Sequence, residues 1–214
     1  IDSSLPIDVN LDGFRKRCYN ISEDQLLRAG TLPFFIMRFL EGTDILVAEM
    51  PKSVFADMQQ ASEIAIEKKI KHDDPAEASI RQEYAMQCPD SFKEWILLLI
   101  DHAFEFHKLR YGIATEGTQN LYITHSWVNV MEKGDQHYPH MHENSFYSFS
   151  CYISCANGDA PFYFIKDNKG TKVDIDKSSE GHVLIFPSQM IHTVYPKKTD
   201  GQRVSVSGNI IIRP

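Results

Sequence analysis

The sequence predicts an α+β, mainly β protein: a sandwich or jelly roll with flanking N-terminal helices. Three observations carry this reading. Hydrophobic residues recur with a period of two from residue 119 onward. They recur at helical spacing over residues 51–110. Short turns containing Gly, Asn and Asp punctuate the second half. A chain of 214 residues can bury a sizeable core. We read it as a single domain, 1–118 giving mostly helical support and 119–214 the jelly-roll core.

A short helix is expected after Ser22, and residues 31–40 read as a strand after Gly30. Pro51 suits the start of a helix whose inner face carries Val54, Met58, Ala61 and Ala65. The polar stretch 71–75 interrupts it, and a second helix is expected over 76–87. A third has Asp90 as its cap and Phe92, Trp95, Ile96, Leu99, Ala103 and Phe106 as its apolar stripe, with Gly112 past its end. Seven strands follow, over 121–131, 145–154, 161–165, 171–175, 181–186, 192–195 and 203–212. Turns at Asn157-Gly158-Asp159, at 167–170 and at Thr199-Asp200-Gly201 separate several of them.

Composition narrows the function classes. Lys plus Arg is 22 against 29 Asp plus Glu, a net charge of −7, which argues against gripping long nucleic acid. The longest apolar run, Trp95 to Ile100, is six residues and far too short to span a membrane. Cys18, Cys88, Cys151 and Cys155 contain no Cys-x-x-Cys pair, so they read as free, inert thiols. The opening Ile1-Asp2-Ser3-Ser4 lacks the basic flank and apolar stretch of a secretory leader. We therefore expect a reducing, cytoplasmic setting. A homodimer is compatible with this size.

The chemistry concentrates in histidines. Three of the nine fall in His137-Tyr138-Pro139-His140-Met141-His142. In an extended strand His140 and His142 share a face, so both imidazoles can reach one metal ion. His192, fifty residues after His142, is the candidate third ligand if a jelly roll brings the segments together. Asp135 and Glu143 are nearby carboxylates, and alternation points Glu143 away from the His140 face. Eleven residues after His192, Arg203 and Ser205 share a strand face with Ser207 and Asn209. A guanidinium beside a hydroxyl makes a clamp for a carboxylate, and an inward-facing Arg implies an acidic ligand. His137 is expected at the rim of the site, His125 as structural, and Asp73, Asp74 and Glu77 as a solvated loop. His72, His102, His107 and His182 have no partner spacing.

The order His-x-His, about fifty residues, His, then Arg-x-Ser resembles the Fe(II)- and 2-oxoglutarate-dependent oxygenases. More narrowly, Trp127-Val128-Asn129, Pro139-His140-Met141-His142, Gly181 to Ser188 and Arg203-Val204-Ser205 are similar to a group of small oxygenases of bacteria and bacteriophages. The resemblance covers 119–214 and implies a double-stranded β-helix, the cofactor Fe(II) and the co-substrate 2-oxoglutarate. It implies His140, His142 and His192 as metal ligands, with Arg203 and Ser205 on the far carboxylate. Asn129 and Tyr152 would touch the co-substrate, Trp127 would wall the pocket, and the product would be a hydroxylated substrate. One departure matters: most of the superfamily bind iron with two His and one carboxylate, and here His142 stands at the carboxylate's place. The substrate is left open among protein side chains, nucleobases and small metabolites. Two alternatives are a non-redox metal-containing jelly-roll binding protein and a structural β-domain.

Overall fold

A computed structural model describes residues 7–9, 37–40, 42–71, 82–111, 121–166 and 169–212. The expected helix after Ser22, Cys18, His72, Gly112, the acidic loop and the first half of the 31–40 strand lie outside them. The described elements are β1 (Ile7–Val9), β2 (Met37–Phe39), β3 (Leu46–Glu49), α1 (Lys52–Lys68), β4 (Gln82–Met86), α2 (Asp90–Tyr111), β5 (Leu121–Met131), β6 (His137–His140), β7 (Tyr147–Ser154), β8 (Asp159–Lys166), β9 (Lys169–Ile175), β10 (His182–Pro187), β11 (Ile191–Val194) and β12 (Arg203–Ile212).

The strands form two sheets. One has the order β1-β9-β8-β11-β6, the other β2-β3-β10-β7-β12-β5-β4. All pairs are antiparallel except β1 with β9. Chain neighbours repeatedly fall on opposite sheets, as in the double-stranded β-helix expected above. Each of the seven strands read from the period-two pattern is present within two residues of its expected ends.

Two apolar clusters hold the layers together. The outer one packs Met58 of α1 and Phe92, Ile96 and Leu99 of α2 against Val128 and Phe149 of the larger sheet. The inner one lies between the sheets, with Phe162, Phe164 and Val173 facing Tyr152, Leu184 and Phe186. Covering by helices explains why β7 is buried along both faces, where a one-sided sheet would alternate. α1 begins after Pro51 and buries Val54, Met58, Ser62 and Ala65. Ser62 thus sits deeper than the expected Ala61, its hydroxyl donating to Gln59 O at 2.8 Å. Asp90 is the first helical residue of α2, and its carboxylate takes the Lys93 ammonium at 2.8 Å.

Two expectations fail. The second helix, expected over 76–87, is replaced in its described part by strand β4, which pairs with β5 from Gln82↔Val130 to Met86↔Ser126. Gln, Glu, Ala and Met favour helix locally, but Tyr84 and Met86 can bury one face here only by extending along the edge of β5. Strands β3 and β6 also went unread, being only four residues each. The described thiols, Cys88, Cys151 and Cys155, are free and buried as expected. Burial pushes Cys88 up to about 11 and Cys155 up to about 12, so both stay protonated and unreactive.

Gly208 lies in β12 opposite Phe149. A Cβ there would meet the Phe149 ring at 2.5 Å and the His125 carbonyl oxygen at 2.7 Å. Its absence lets the Phe149 ring lie across the strand and reach Phe92, ring centroids 5.3 Å apart. We predict that Gly208→Ala costs about 1–3 kcal/mol in urea unfolding. Parent-like stability would contradict this packing.

Candidate metal centre and its polar floor

Strand pairing brings the histidines together. β6 and β11 are antiparallel neighbours, and His192 lies opposite His140. His142 follows the end of β6, where its N–H donates to Ser188 O at 2.9 Å and so keeps the chain alongside the β10–β11 turn. The ring centroids are 4.2 Å apart for His140–His192, 5.1 Å for His140–His142 and 5.2 Å for His142–His192. One ring nitrogen from each lies within 4.8 Å of the other two. Neither nearby carboxylate joins this group. Glu143 is exposed, and Asp135 is turned away to accept from Glu132 N at 2.9 Å.

The backbone sets the tautomers. His140 Nδ1 is 2.7 Å from Tyr138 O, and His192 Nδ1 is 2.9 Å from Met190 O. A carbonyl oxygen only accepts, so each Nδ1 carries the proton and donates, leaving Nε2 with a free lone pair. Phe162 stacks on His192 with centroids 5.5 Å apart and 10° between planes, while Phe186 meets it edge-on at 4.9 Å. Burial among these rings, with His140 beside it, holds His192 well below the usual histidine range and therefore neutral. Three imidazoles gathered this closely suit a divalent transition metal.

His137 lines the cavity beside the three histidines and is partly buried. Its side chain is 14% exposed, and its ring centroid is 5.6 Å from that of His140. Burial, then the neighbouring His140, Arg203 and His142, push it down to about 3. Its Nε2 lies 3.9 Å from Glu83 of β4, the strand the sequence reading took for a helix. His125, by contrast, is exposed.

The facing sheet carries a polar floor across three strands. Ser205 of β12 lies opposite Asn129 of β5 and Tyr152 of β7. One pleat on, Ser207 lies opposite Trp127 and Ser150. Asn129 Nδ2 donates to Ser207 Oγ at 3.1 Å, and the Trp127 ring is 5.7 Å from that of His142. The cavity beside the histidines is lined by Trp127, Ser148, Ser150 and Ser207 from this floor, and by Phe162 and Phe186.

Arg203 and Ser205 are buried, 2% and 5% exposed, so the strand turns this face inward as expected. Yet neither lines that cavity, and nor do Asn129 and Tyr152. The Arg203 guanidinium folds against the fold's own atoms, Nη1 donating to Ala160 O at 2.6 Å and Nη2 to Met131 Sδ. Arg203 Nε, Asn129 Oδ1 and, beside the histidines, His137 Nδ1 are buried without a hydrogen-bond partner, while the Tyr152 hydroxyl has Ser150 as its neighbour. The Arg203 Nε–H is an unused donor, as expected of a place that receives an anion.

The sequence reading missed Ser148, Ser150 and Ser188. Ser148 Oγ donates to Asn209 Oδ1 at 2.8 Å, so the Ser188 hydroxyl, also at 2.8 Å, must donate to Ser148. This chain ties β7 and β12 to the turn that holds His142. The alternation Ser148, Ser150, Tyr152 mirrors Ser205, Ser207, Asn209 and was the available signal.

Residues 125–209 match the family model described as "Putative 2OG-Fe(II) oxygenase". Among solved structures, the chain is similar to a Pseudomonas putida prolyl-4-hydroxylase, with 13% identity, TM-score 0.55, and 81% of this chain and 95% of that one covered. It is similar to OsALKBH1, with 14% identity, TM-score 0.58, and 80% and 100% covered. It is also similar to HygX of Streptomyces hygroscopicus in complex with nickel, 2-oxoglutarate and hygromycin B, with 13% identity, TM-score 0.52, and 90% and 88% covered. At these identities the likeness establishes the double-stranded β-helix fold. No curated protein sequence matches.

Ser148→Ala should strand the Asn209 oxygen and the Ser188 hydroxyl, costing about 1–3 kcal/mol in urea unfolding. A loss below about 0.5 kcal/mol would mean that the serine chain is not a structural tie.

Proposed function

We propose that this chain, an Fe(II)- and 2-oxoglutarate-dependent oxygenase by fold and family match, is a hydroxylase whose metal is held by His140, His142 and His192. The observation that carries the reading is the convergence of three imidazoles, two with Nδ1 engaged by backbone carbonyls. That donor set fits Fe(II), and the unused Nε–H of the buried Arg203 fits an acidic co-substrate. Bound Fe(II) and 2-oxoglutarate supply the oxidising chemistry for attack on a C–H bond.

The protein's own residues bind, orient and exclude water. Arg203, helped by Ser205, pairs with the far carboxylate of 2-oxoglutarate. The Tyr152 hydroxyl donates to the co-substrate, and rotation of the Asn129 amide offers an N–H in place of its unpartnered oxygen. Trp127, Phe162 and Phe186 keep the site dry, which strengthens each polar contact made there. We read helices and sheets as one domain, supported by the packing of α1 and α2 on the larger sheet. A reducing, cytoplasmic setting is supported by the three buried free thiols.

Under anaerobic conditions, adding 2-oxoglutarate to the Fe(II)-loaded protein should raise a weak visible charge-transfer band. Admitting oxygen should then yield succinate. A metal-loaded protein showing neither would be a binding protein and not an oxygenase. His192→Ala should lose most of its iron, by tenfold or more in affinity. Full retention would move that role to another residue. Arg203→Ala should keep its iron and bind 2-oxoglutarate about tenfold or more weakly. Equal affinity in variant and parent would refute the clamp.

A further inference from the structure

A second charged group lies behind the site. Lys197, in the loop between β11 and β12, is 1% exposed, and Asp159 at the start of β8 is 4% exposed. Asp159 Oδ1 is 3.6 Å from Lys197 Nζ and 4.0 Å from Arg203 Nη1. Two buried cations therefore share one buried carboxylate, and among the described residues no other carboxylate lies within 4.0 Å of either. The count leaves one unit of positive charge in the interior.

The hydrogen bonds show how the carboxylate is divided. Asp159 accepts from Ala160 N at 2.8 Å and Ala156 N at 3.1 Å, which fixes its plane. Lys197 Nζ donates to Thr199 O at 2.9 Å and Thr199 Oγ1 at 2.6 Å. Its backbone is pinned to the β5–β6 turn, with Lys197 N donating to Asp135 O at 2.9 Å and Gly134 N to Lys197 O at 2.8 Å. The ammonium is thus held on the nearer side of Asp159. Arg203 makes no close bond to a carboxylate, only the longer approach to Asp159, and its Nε is unpartnered. A guanidinium placed alone beside Asp159 would be neutralised and would have little reason to take a second anion. A third buried charge costs desolvation free energy, and an arriving anion offsets it.

We propose that Lys197 is a positioning residue for the co-substrate: it engages Asp159 so that Arg203 keeps its positive charge for the far carboxylate of 2-oxoglutarate. This rests on the oxygenase reading and on Arg203 as the carboxylate anchor. Lys197 itself acts through Asp159 and touches no ligand.

The test is a set of equilibrium dissociation constants on the nickel-loaded protein, for 2-oxoglutarate and for 2-oxopentanoate. The latter has the same chelating end and no far carboxylate. In Lys197→Met, 2-oxoglutarate should bind about tenfold or more weakly, with 2-oxopentanoate within about twofold of parent. Lys197→Arg should stay close to parent for both. The double variant Lys197→Met with Asp159→Asn restores the charge count and should recover 2-oxoglutarate affinity to within about threefold. Three results would overturn the proposal: unchanged 2-oxoglutarate affinity in Lys197→Met, parallel loss of both ligands, or a double variant as weak as the single. If Lys197→Met does not fold, the double variant decides by the same threshold. A parent protein that binds neither oxo acid would instead overturn the oxygenase reading, and this inference with it.

Discussion

The pairing of His192 with His140 across β6 and β11 is the constraint on which the site depends. Antiparallel register puts two imidazoles side by side, with a register shift between His192 and Val194 just beyond them. The third needs a separate device, because His142 lies beyond the strand end. The Ser188 carbonyl supplies it, and the chain Ser188–Ser148–Asn209 fastens that turn to the opposite sheet. The histidine cluster is thus tied to both sheets, and Phe162 and Phe186 of the apolar cluster between them pack against His192.

Charge explains the rest of the arrangement. A site with three imidazole ligands carries one more unit of positive charge than a two-His, one-carboxylate site around the same ion. Behind it, Arg203, Lys197 and Asp159 add a further net unit in the interior. Under the proposed function, a dianion such as 2-oxoglutarate would complement the two, one end at the histidines and the other at the guanidinium. The aromatic walls make the complementarity count, since charges interact more strongly away from water.

Much of this was legible in the chain alone. The strands after residue 119 announce themselves by their β-forming residues, and turn residues separate several of them. His140, His142 and His192 stood out by spacing, and Arg203 by its distance from His192. Strand β4 did not, because its Gln-Glu-Tyr-Ala-Met run has helical propensity, and only the free edge of β5 makes it extend. The approach of Glu83 to His137 was hidden for a related reason, since Glu83 lies on that strand. Lys197 was invisible as well. Among lysines in an acidic chain, nothing local distinguishes one that is buried, since burial comes from the β5–β6 turn folding over it.

Anomalous diffraction at the iron edge, from crystals grown anaerobically with Fe(II) and 2-oxoglutarate, tests the central claim most directly. The account predicts a single peak bonded to His140, His142 and His192, with the far end of the co-substrate at Arg203. A peak bonded to Asp135 or Glu143 instead of His142, a peak elsewhere in the molecule, or none at all would contradict it.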